Sequence, residues 1–247
     1  MPDHSRRHYR KCMQPAGFVS FNCKIKETDL QIAVDEKSYY PQLEALVEKR
    51  ILAYRLQLEQ YIVQDPLFAE TLQPHLVPLQ APLIVLAMTR AANQAEVGPM
   101  AAVAGAVAEF VGRDLLAAVD EVIVENGGDI FLAVKKKTKV AVYAGNSPLS
   151  NRLAIEVPPQ KNGFGICTSS GTVGPSFSFG RADAAVIVSS SAVLADAVAT
   201  AAANRVQTSE DLQNALQFAR QVPGVSGILL IKDDKLAAWG QLKLVSL

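Results

Sequence analysis

The stretch VIVENGGDIFLAV, residues 122–134, decides the fold, because two apolar runs of strand length flank a polar break that contains two glycines. Asn126-Gly127 is a strong signal for a tight turn, since a type I′ turn needs positive φ at both central residues. The stretch therefore predicts a β-hairpin. A turn centred on Asn126-Gly127 does not account for Gly128 and Asp129. Glycine also occurs where the backbone must come close to a ligand. The stretch alone is compatible with both interpretations.

The hairpin lies in a chain with alternating strand and helix patterns. Residues 18–34 alternate apolar and polar side chains, which predicts an earlier hairpin. Residues 41–63 carry the apolar spacing of an amphipathic surface helix. The same criteria predict helices at 66–72, 82–95, 99–116, 191–205 and 208–221. They predict strands that continue one sheet at 139–143, 152–157, 164–168 and 182–188, and final strands at 226–232, 235–240 and 242–246.

An alanine-rich helix followed by a hairpin occurs twice, the second time ending in GILLIKDDKLAAWG, residues 227–240. The uneven helical insertions between strands do not fit a regular βαβ winding. The sequence therefore predicts an α+β fold of two related halves, with mixed or antiparallel sheets and buried alanine-rich helices. We expect a single domain over residues 17–247, preceded by an N-terminal arm of residues 1–16.

Composition excludes several classes of protein. The 247 residues are 49% hydrophobic and carry no net charge, and no large basic block offers the many phosphate contacts of a nucleic-acid binder. The apolar helix near residues 97–108 is too short and too rich in alanine to predict a membrane span. Three cysteines without a CxxC motif do not predict a disulfide framework or a zinc site. These features favour a soluble, cytoplasmic protein.

A second segment, GICTSSGT at residues 165–172, places hydroxyl groups and unshielded backbone N–H groups side by side. Such a loop can hold a phosphate or another anion, although an ordinary loop leaving a strand has the same composition. The candidate ligand-binding residues are Thr168, Ser169, Ser170, Gly171 and Thr172. Cys167 precedes them, either as a reactive thiol or as a buried strand residue.

The third segment, LADAVAT at residues 194–200, places Asp196 and Thr200 at positions i and i+4 of an otherwise apolar helix. An unpaired buried carboxylate is unfavourable by several kcal/mol, so Asp196 needs a partner. One alternative is Mg²⁺, which takes one or two carboxylates, neutral oxygens and water. The other is Arg181, Arg205 or solvent.

Together, in this order and at this spacing, the three segments resemble the ApbE-like superfamily of flavin transferases. ENGGDI is similar to their G-G-D-I segment, CTSSGT to their S-x-S-T-S-G loop, and ADAVAT to the A-D-A-x-A-T start of a helix. The sequence more closely resembles an uncharacterised branch of that superfamily, found largely in anaerobic microbes. This closer resemblance covers about residues 18–240 and is carried by GPMAAVAGAVAEFVGR, ENGGDI and TSSGTVGPSFSFGRADA.

The resemblance implies a protein that binds FAD and, with Mg²⁺, transfers FMN to a threonine of a target protein. It places the metal on Asp196 and Thr200, completed by a backbone carbonyl near Gly98–Ala101. It places the nucleotide along the other two segments, at Gly127, Gly128, Asp129, Thr168, Ser169, Ser170 and Gly171. Asp129 and Cys167 are the catalytic candidates.

The sequence departs from the transferases at two points. Their H-x-x-D-P segment, with a His at the reaction centre, corresponds here to TVGPSFSFG, and all three histidines lie before residue 76. Their Gly-Gly-x-x-Lys-Gly stretch corresponds to GPMAAVAGAVAEF, which has no lysine. Because acid–base catalysis needs a group of suitable pKa within reach, the sequence favours ligand binding over flavin transfer.

Two alternatives stay open. The resembled branch is associated with the incorporation of sulfide into homocysteine in anaerobes, which implies an accessory enzyme of sulfur assimilation with Cys167 as the sulfur-handling residue. The other alternative is a non-catalytic binding or assembly protein, in which the small-residue helix at 100–112 serves a protein interface. A homodimer is among the partners that we expect.

Overall fold

The computed structural model describes residues 15–172 and 179–247. Its strands are β1 Phe18–Ile25, β2 Thr28–Asp35, β3 Val122–Asn126, β4 Asp129–Val134, β5 Thr138–Ala141, β6 Leu153–Val157, β7 Gln160–Ser169, β8 Ala184–Ser189, β9 Val225–Lys232, β10 Lys235–Gly240 and β11 Lys243–Ser246. Its α-helices are α1 Gln42–Gln64, α2 Leu67–Glu70, α3 Leu83–Gln94, α4 Val103–Leu115, α5 Ala192–Asn204 and α6 Leu212–Gln221. Short 3₁₀ turns, Pro99–Ala102 and Ser209–Asp211, precede α4 and α6. Each helix and strand expected from the sequence is present, with ends that differ by a few residues.

The main sheet has eight strands in the order β1-β2-β3-β4-β7-β8-β9-β10. Every neighbouring pair in it is antiparallel. Each half of the sheet consists of a hairpin, a helical segment and a second hairpin, and pairing of β4 with β7 joins the halves. The predicted α+β fold of two related halves is thus confirmed. The predicted N-terminal arm falls almost wholly outside the described residues, so its boundary stays a prediction.

One expectation about the sheet is wrong. β5 and β6, predicted to continue the main sheet, instead pair with β11 in a separate sheet of order β11-β6-β5. Its pairing brings the end of the chain back to its middle, with Leu244 opposite Ile155. Local alternation cannot reveal this arrangement, because it specifies a strand but not its partner.

The small sheet explains why the central strands are apolar on both faces. β4 is buried at every position. Phe131 and Ala133 belong to the core beneath the helices, whereas Ile130 and Leu132 belong to a second core with residues of β5, β6 and β11. A strand covered on both faces reads as a continuous apolar run. The molecule therefore has three layers: helices, main sheet and small sheet.

The small-residue helix α4 packs closely against α5 within the chain. A Cβ atom on Gly105 would clash with the Ala192 carbonyl and lie 2.7 Å from the Cβ of Asp196 on α5. Glycine thus allows the two helix backbones to meet. Glu109 of α4 pairs with Arg113 at 2.7 Å and accepts a hydrogen bond from the Val193 N–H in the first turn of α5.

Within residues 15–172 and 179–247, no single helix has the length and apolar composition needed to cross a membrane. α3 and the segment Pro99–Leu115 meet that criterion only as a pair, and a bend of 104° separates them.

Candidate functional site

The tip of the β3–β4 hairpin differs from the turn expected from the sequence. Asn126 pairs with Asp129, so the two central residues of the turn are Gly127 and Gly128, with φ of 69° and 108°. Both glycines are therefore required by the turn, and the expectation that Gly128 is left over is wrong. The buried Glu125 carboxylate accepts a hydrogen bond of 2.9 Å from the Gly128 N–H. Gly127 is exposed, which leaves backbone accessible at the tip.

The hairpin and α5 hold the same peptide group in the first turn of α4. The Asn126 side chain donates to the Ala104 carbonyl at 3.1 Å. On the other side of that peptide group, the Asp196 carboxylate accepts from the Gly105 N–H at 2.8 Å. A carboxylate at a helix N-terminus satisfies free N–H groups and interacts favourably with the helix dipole. Asp196 therefore has a structural partner, which is neither of the arginines considered from the sequence.

Arg205 has other contacts at the C-terminal end of α5. Its guanidinium donates to the Ala201 carbonyl and to Glu96, each at 2.9 Å, and lies over the Phe218 ring at 3.4 Å. Arg205 also lines the cleft described below. Sequence reasoning considered Arg205 only as a partner for Asp196. Arg205 follows Thr200 by five residues, and this spacing indicates that both lie toward the same end of the helix.

Two carboxyl groups and a thiol form a buried cluster where β4, β7 and α5 meet. Asp129 is directly opposite Cys167 in the sheet. Burial, and secondarily the charge of Asp196, raise the pKa of Asp129 well above its ordinary value. Burial also raises the pKa of Asp196 to about 7, although hydrogen bonds from the Gly105 and Ala104 backbone oppose the rise. Burial therefore favours the protonated form of the Asp129 carboxyl, which is a hydrogen-bond donor.

Cys167 is fully buried and lies on the inner side of this cluster. Its thiol donates to the Ala192 carbonyl at 3.3 Å. Burial and the nearby Asp129 and Asp196 charges raise its pKa well above the ordinary value. A thiol in such surroundings is not ionised at neutral pH, and the thiolate is the reactive form. The geometry therefore corresponds to the buried-strand interpretation of Cys167.

The loop after β7 divides into two parts. Thr168 and Ser169 end the strand beside the hairpin tip, where the Thr168 N–H donates to the Gly128 carbonyl at 3.2 Å. Beyond them, the Gly171 N–H donates to Ala182 at 2.9 Å and the Thr172 N–H donates to the Ser170 hydroxyl at 3.0 Å. The N–H groups of Thr168, Gly171 and Thr172 are thus used within the protein, so an anion at this segment would be bound mainly through hydroxyl groups.

One cleft of about 2450 Å³ connects the three segments. It is larger than the roughly 300–1,000 Å³ of a typical ligand pocket, so polar groups and not volume must locate a binding site within it. The sequence-predicted residues in its lining are Gly127, Gly128, Asp129, Thr168, Ser169, Ser170, Asp196 and Thr200. The remaining candidates, Cys167, Gly171 and Thr172, lie outside this lining.

Sequence reasoning missed Glu125 and Asn126 as part of the site, although both lie in the quoted hairpin. Both line the cleft and are buried, with exposed fractions of 1% and 8%. The sequence feature that could have identified them is a pair of polar side chains at the end of an apolar strand. None of the described lining residues is a histidine, and His75 instead pairs with Asp65 at 2.7 Å. Most of the stretch that corresponds to the H-x-x-D-P segment lies outside the described residues.

The side-chain oxygen atoms of Asp196 and Thr200 are ligands of the kind that a hard cation prefers. Asp196 and Thr200 line the cleft from successive turns of α5, so a carboxylate and a hydroxyl oxygen are available together. The described residues contain no group of three or more His, Cys, Asp and Glu side chains placed to hold a metal ion. A cation here would take its other ligands from neutral oxygens and water, as Mg²⁺ commonly does.

The three-layer fold and the convergence of these segments define an ApbE-like protein. A flavinyl transferase ApbE from Pseudomonas stutzeri, in its apo form, is similar with a TM-score of 0.56 and 11% identity over 90% of this chain and 93% of that one. The flavin transferase ApbE from Vibrio cholerae is similar with a TM-score of 0.52 and 13% identity over 91% and 97%. At such low identity the likeness concerns the fold.

The family is shown by closer matches. A family model described as AbpE bacteria matches residues 10–237, and the chain belongs to that family. A UPF0280 protein from Methanocella arvoryzae is 41% identical over 92% of both chains. Another UPF0280 protein, from Methanocaldococcus jannaschii, is 40% identical over 88% of this chain and 89% of the relative.

Proposed function

We propose that the cleft binds a flavin nucleotide, FAD or a related phosphate-bearing nucleotide, with Mg²⁺ at Asp196 and Thr200. The observation that carries the proposal is the convergence of three distant segments on one cleft, in a fold shared with flavin transferases. Packing of the core alone does not require exposed glycines, strand-end hydroxyls and a buried carboxylate to meet at one opening. Polar groups that converge in a cleft are the usual mark of a ligand site.

Each segment would have a separate role in this site. The Gly127-Gly128 turn would let the ligand approach the backbone closely, because no side chain covers it. The hydroxyl groups of Thr168 and Ser169, half-buried beside the turn, would donate hydrogen bonds to the ligand. Mg²⁺ bound at Asp196 would neutralise negative charge on phosphate oxygens, which otherwise face the Asp129 and Asp196 carboxyl groups.

Binding is better supported than group transfer. The transferases that the sequence resembles use a histidine at the reaction centre, and the described lining contains none. Asp129 is a candidate for proton donation, since burial raises the pKa of its carboxyl and so favours the protonated form. The sulfur-assimilation alternative has weaker geometric support, because the thiol of Cys167 is buried and outside the cleft lining.

Isothermal calorimetry with FAD, with and without Mg²⁺, tests the proposal on the wild type and on Asp196→Ala. Mg²⁺-dependent binding that is lost in Asp196→Ala is the expected result. The matched control is Asp120→Ala, which removes a surface carboxylate that is paired with Lys135 and lies outside the cleft lining. Comparison of FAD, FMN and riboflavin then measures how much the phosphate groups contribute.

The outcomes separate the parts of the proposal. Absence of binding to wild type under every condition would overturn the flavin site. Equal affinity in wild type and Asp196→Ala would reject the metal role of Asp196 while keeping a nucleotide site in the cleft. Equal affinity for riboflavin and FAD would reject recognition through phosphate.

A further inference from the structure

A row of large apolar side chains is exposed along α1, α2 and the segment that leads into α3. Between residues 64 and 83, the exposed fraction is 55% at Leu67, 85% at Leu76 and Leu79, and 75% at Leu83. Single exposed leucines are common, but an extended apolar surface usually marks an interaction site. We name this surface the leucine ridge, and its members are Leu52, Leu56, Val63, Leu67, Leu72, Leu76, Leu79 and Leu83.

Contacts between distant residues hold the middle of the ridge together. His75 pairs with Asp65 at 2.7 Å, just after the end of α1. The His75 backbone is also fixed to α3, because the Asn93 side chain accepts from its N–H and donates to its carbonyl, each at 3.0 Å. The ridge is thus ordered without a covering element, so little conformational entropy would be lost on docking.

The two ends of the ridge extend this surface. Leu52 and Leu56 are four residues apart on α1 and share one helix face, opposite the buried face of Leu43, Val47 and Ile51. Both leucines have an exposed fraction of 54%. At the other end, Leu83 begins α3. A fully exposed leucine side chain has an area on the order of 150 Å², so the eight members approach the roughly 800 Å² that one partner contributes to a standard interface.

We propose that the leucine ridge is the self-association surface of this protein, and that its occupant is the ridge of a second copy in a two-fold dimer. A two-fold interface sets each patch against itself, so a charged patch would repel its copy. Four of the five acidic or basic side chains between Leu52 and Leu83 are paired with each other. Arg55 pairs with Glu59 at 2.9 Å and His75 with Asp65 at 2.7 Å, and the fifth is Glu70. The whole chain also has no net charge, which removes long-range repulsion between copies.

The ridge borders the cleft. Leu72 belongs to the ridge and also lines the cleft, together with its neighbours Thr71 and Gln73. The same segment is held close to the turn before α4, because a Cβ atom on Gly98 would clash with the Thr71 carbonyl. A second copy on the ridge would therefore form part of one wall of the cleft.

The test is light scattering coupled to size-exclusion chromatography over a wide range of protein concentrations. Wild type should have twice the chain mass of 26.5 kDa. The double variant Leu76→Glu/Leu79→Glu should be a monomer, with the dissociation constant raised at least roughly 100-fold, because two central apolar residues are replaced on both copies. The matched control is Leu236→Glu on β10, an exposed leucine outside the ridge, which should remain a dimer.

The double variant Leu76→Gln/Leu79→Gln is a milder replacement that introduces no charge, and it should also weaken the dimer. It keeps the test decisive if the glutamate variant folds poorly. A monomeric wild type at the highest concentration would overturn the proposal. An undiminished dimer in the glutamine variant would also overturn it, because the interface would then lie elsewhere. Monomeric wild type that floats with lipid vesicles, when the variant does not, would instead assign the ridge to a membrane surface.

Discussion

Replacement of Asp196 by asparagine should stabilise the ligand-free protein at neutral and alkaline pH, but not at acidic pH. The carboxyl of Asp196 is buried, with an exposed fraction of 7%, and burial raises its pKa from the ordinary 3.8 to about 7. An acid whose pKa is raised in the folded state stabilises that state fully below its unfolded pKa. This contribution is lost as the pH rises through the folded pKa. For Asp196 the loss falls between about pH 4 and pH 7.

The expected magnitude follows from the size of that change. At about 1.4 kcal/mol per pK unit, the rise corresponds to about 4 kcal/mol at most. Asparagine keeps an oxygen that can accept from the Gly105 N–H but carries no charge. The difference in unfolding free energy between Asp196→Asn and wild type should therefore increase between pH 4 and pH 8 by an amount approaching that limit, in favour of the variant.

Urea unfolding in the presence of a chelator, followed by circular dichroism from pH 4 to pH 8, measures this difference. Asp120→Asn is the control, because a hydrogen bond from Lys135 lowers the pKa of the exposed Asp120 carboxyl. The contribution of that carboxyl to stability is lost only below about pH 4, so the difference between Asp120→Asn and wild type should stay nearly constant from pH 4 to pH 8. A constant difference between Asp196→Asn and wild type across the pH range would refute the reasoning. If Mg²⁺ binds the Asp196 carboxylate, adding it at pH 8 should stabilise wild type but not the asparagine variant.

Three further predictions concern single residues of the site. Gly128→Ala should destabilise the protein by about 1–3 kcal/mol in thermal unfolding, since Gly128 has a φ of 108° that side-chain-bearing residues rarely adopt. Gly105→Ala should separate α4 from α5, because the new Cβ would clash with the Ala192 carbonyl, and calorimetry should show loss of ligand binding together with a lower Tm. Cys167 should not react with a thiol reagent until the protein unfolds, because burial raises its pKa. Absorbance in a Cys12→Ser/Cys23→Ser background, in which Cys167 is the remaining thiol, would detect the reaction. Rapid labelling of Cys167 in the native protein would contradict its burial.

The sequence predicts local structure well because the decisive signals are local. The 3.6-residue spacing of apolar side chains defines α1, and the paired apolar runs on either side of Gly127-Gly128 define the β3–β4 hairpin. The central residues of the turn do not follow from the same local signal, because both Asn-Gly and Gly-Gly satisfy a two-residue turn. The structure centres it on Gly-Gly, and the side chain of Asn126 contacts α4 instead.

Long-range partners could not be read from the sequence. β5 and β6 have the alternation of strands, but their pairing with β11 depends on the return of the chain end, about 100 residues later. The partner of Asp196 was missed for the same reason, since Gly105 is 91 residues away. The three candidate segments could be recognised because each carries an unusual local composition, whereas Glu125 and Arg205 become parts of the cleft only through the fold.

The position of Asp196 favours a role beyond capping a helix. Asparagine, serine or threonine caps a helix N-terminus about as well as aspartate, without a buried charge. Here a carboxylate lies in an apolar helix close to a second buried carboxyl, Asp129, and burial makes the charged form of each unfavourable. Such an arrangement lowers the stability of the free protein, and a cation bound at the Asp196 carboxylate would offset that loss. The asparagine variant should therefore separate the two roles, because it keeps the cap and removes the charge that a cation would require.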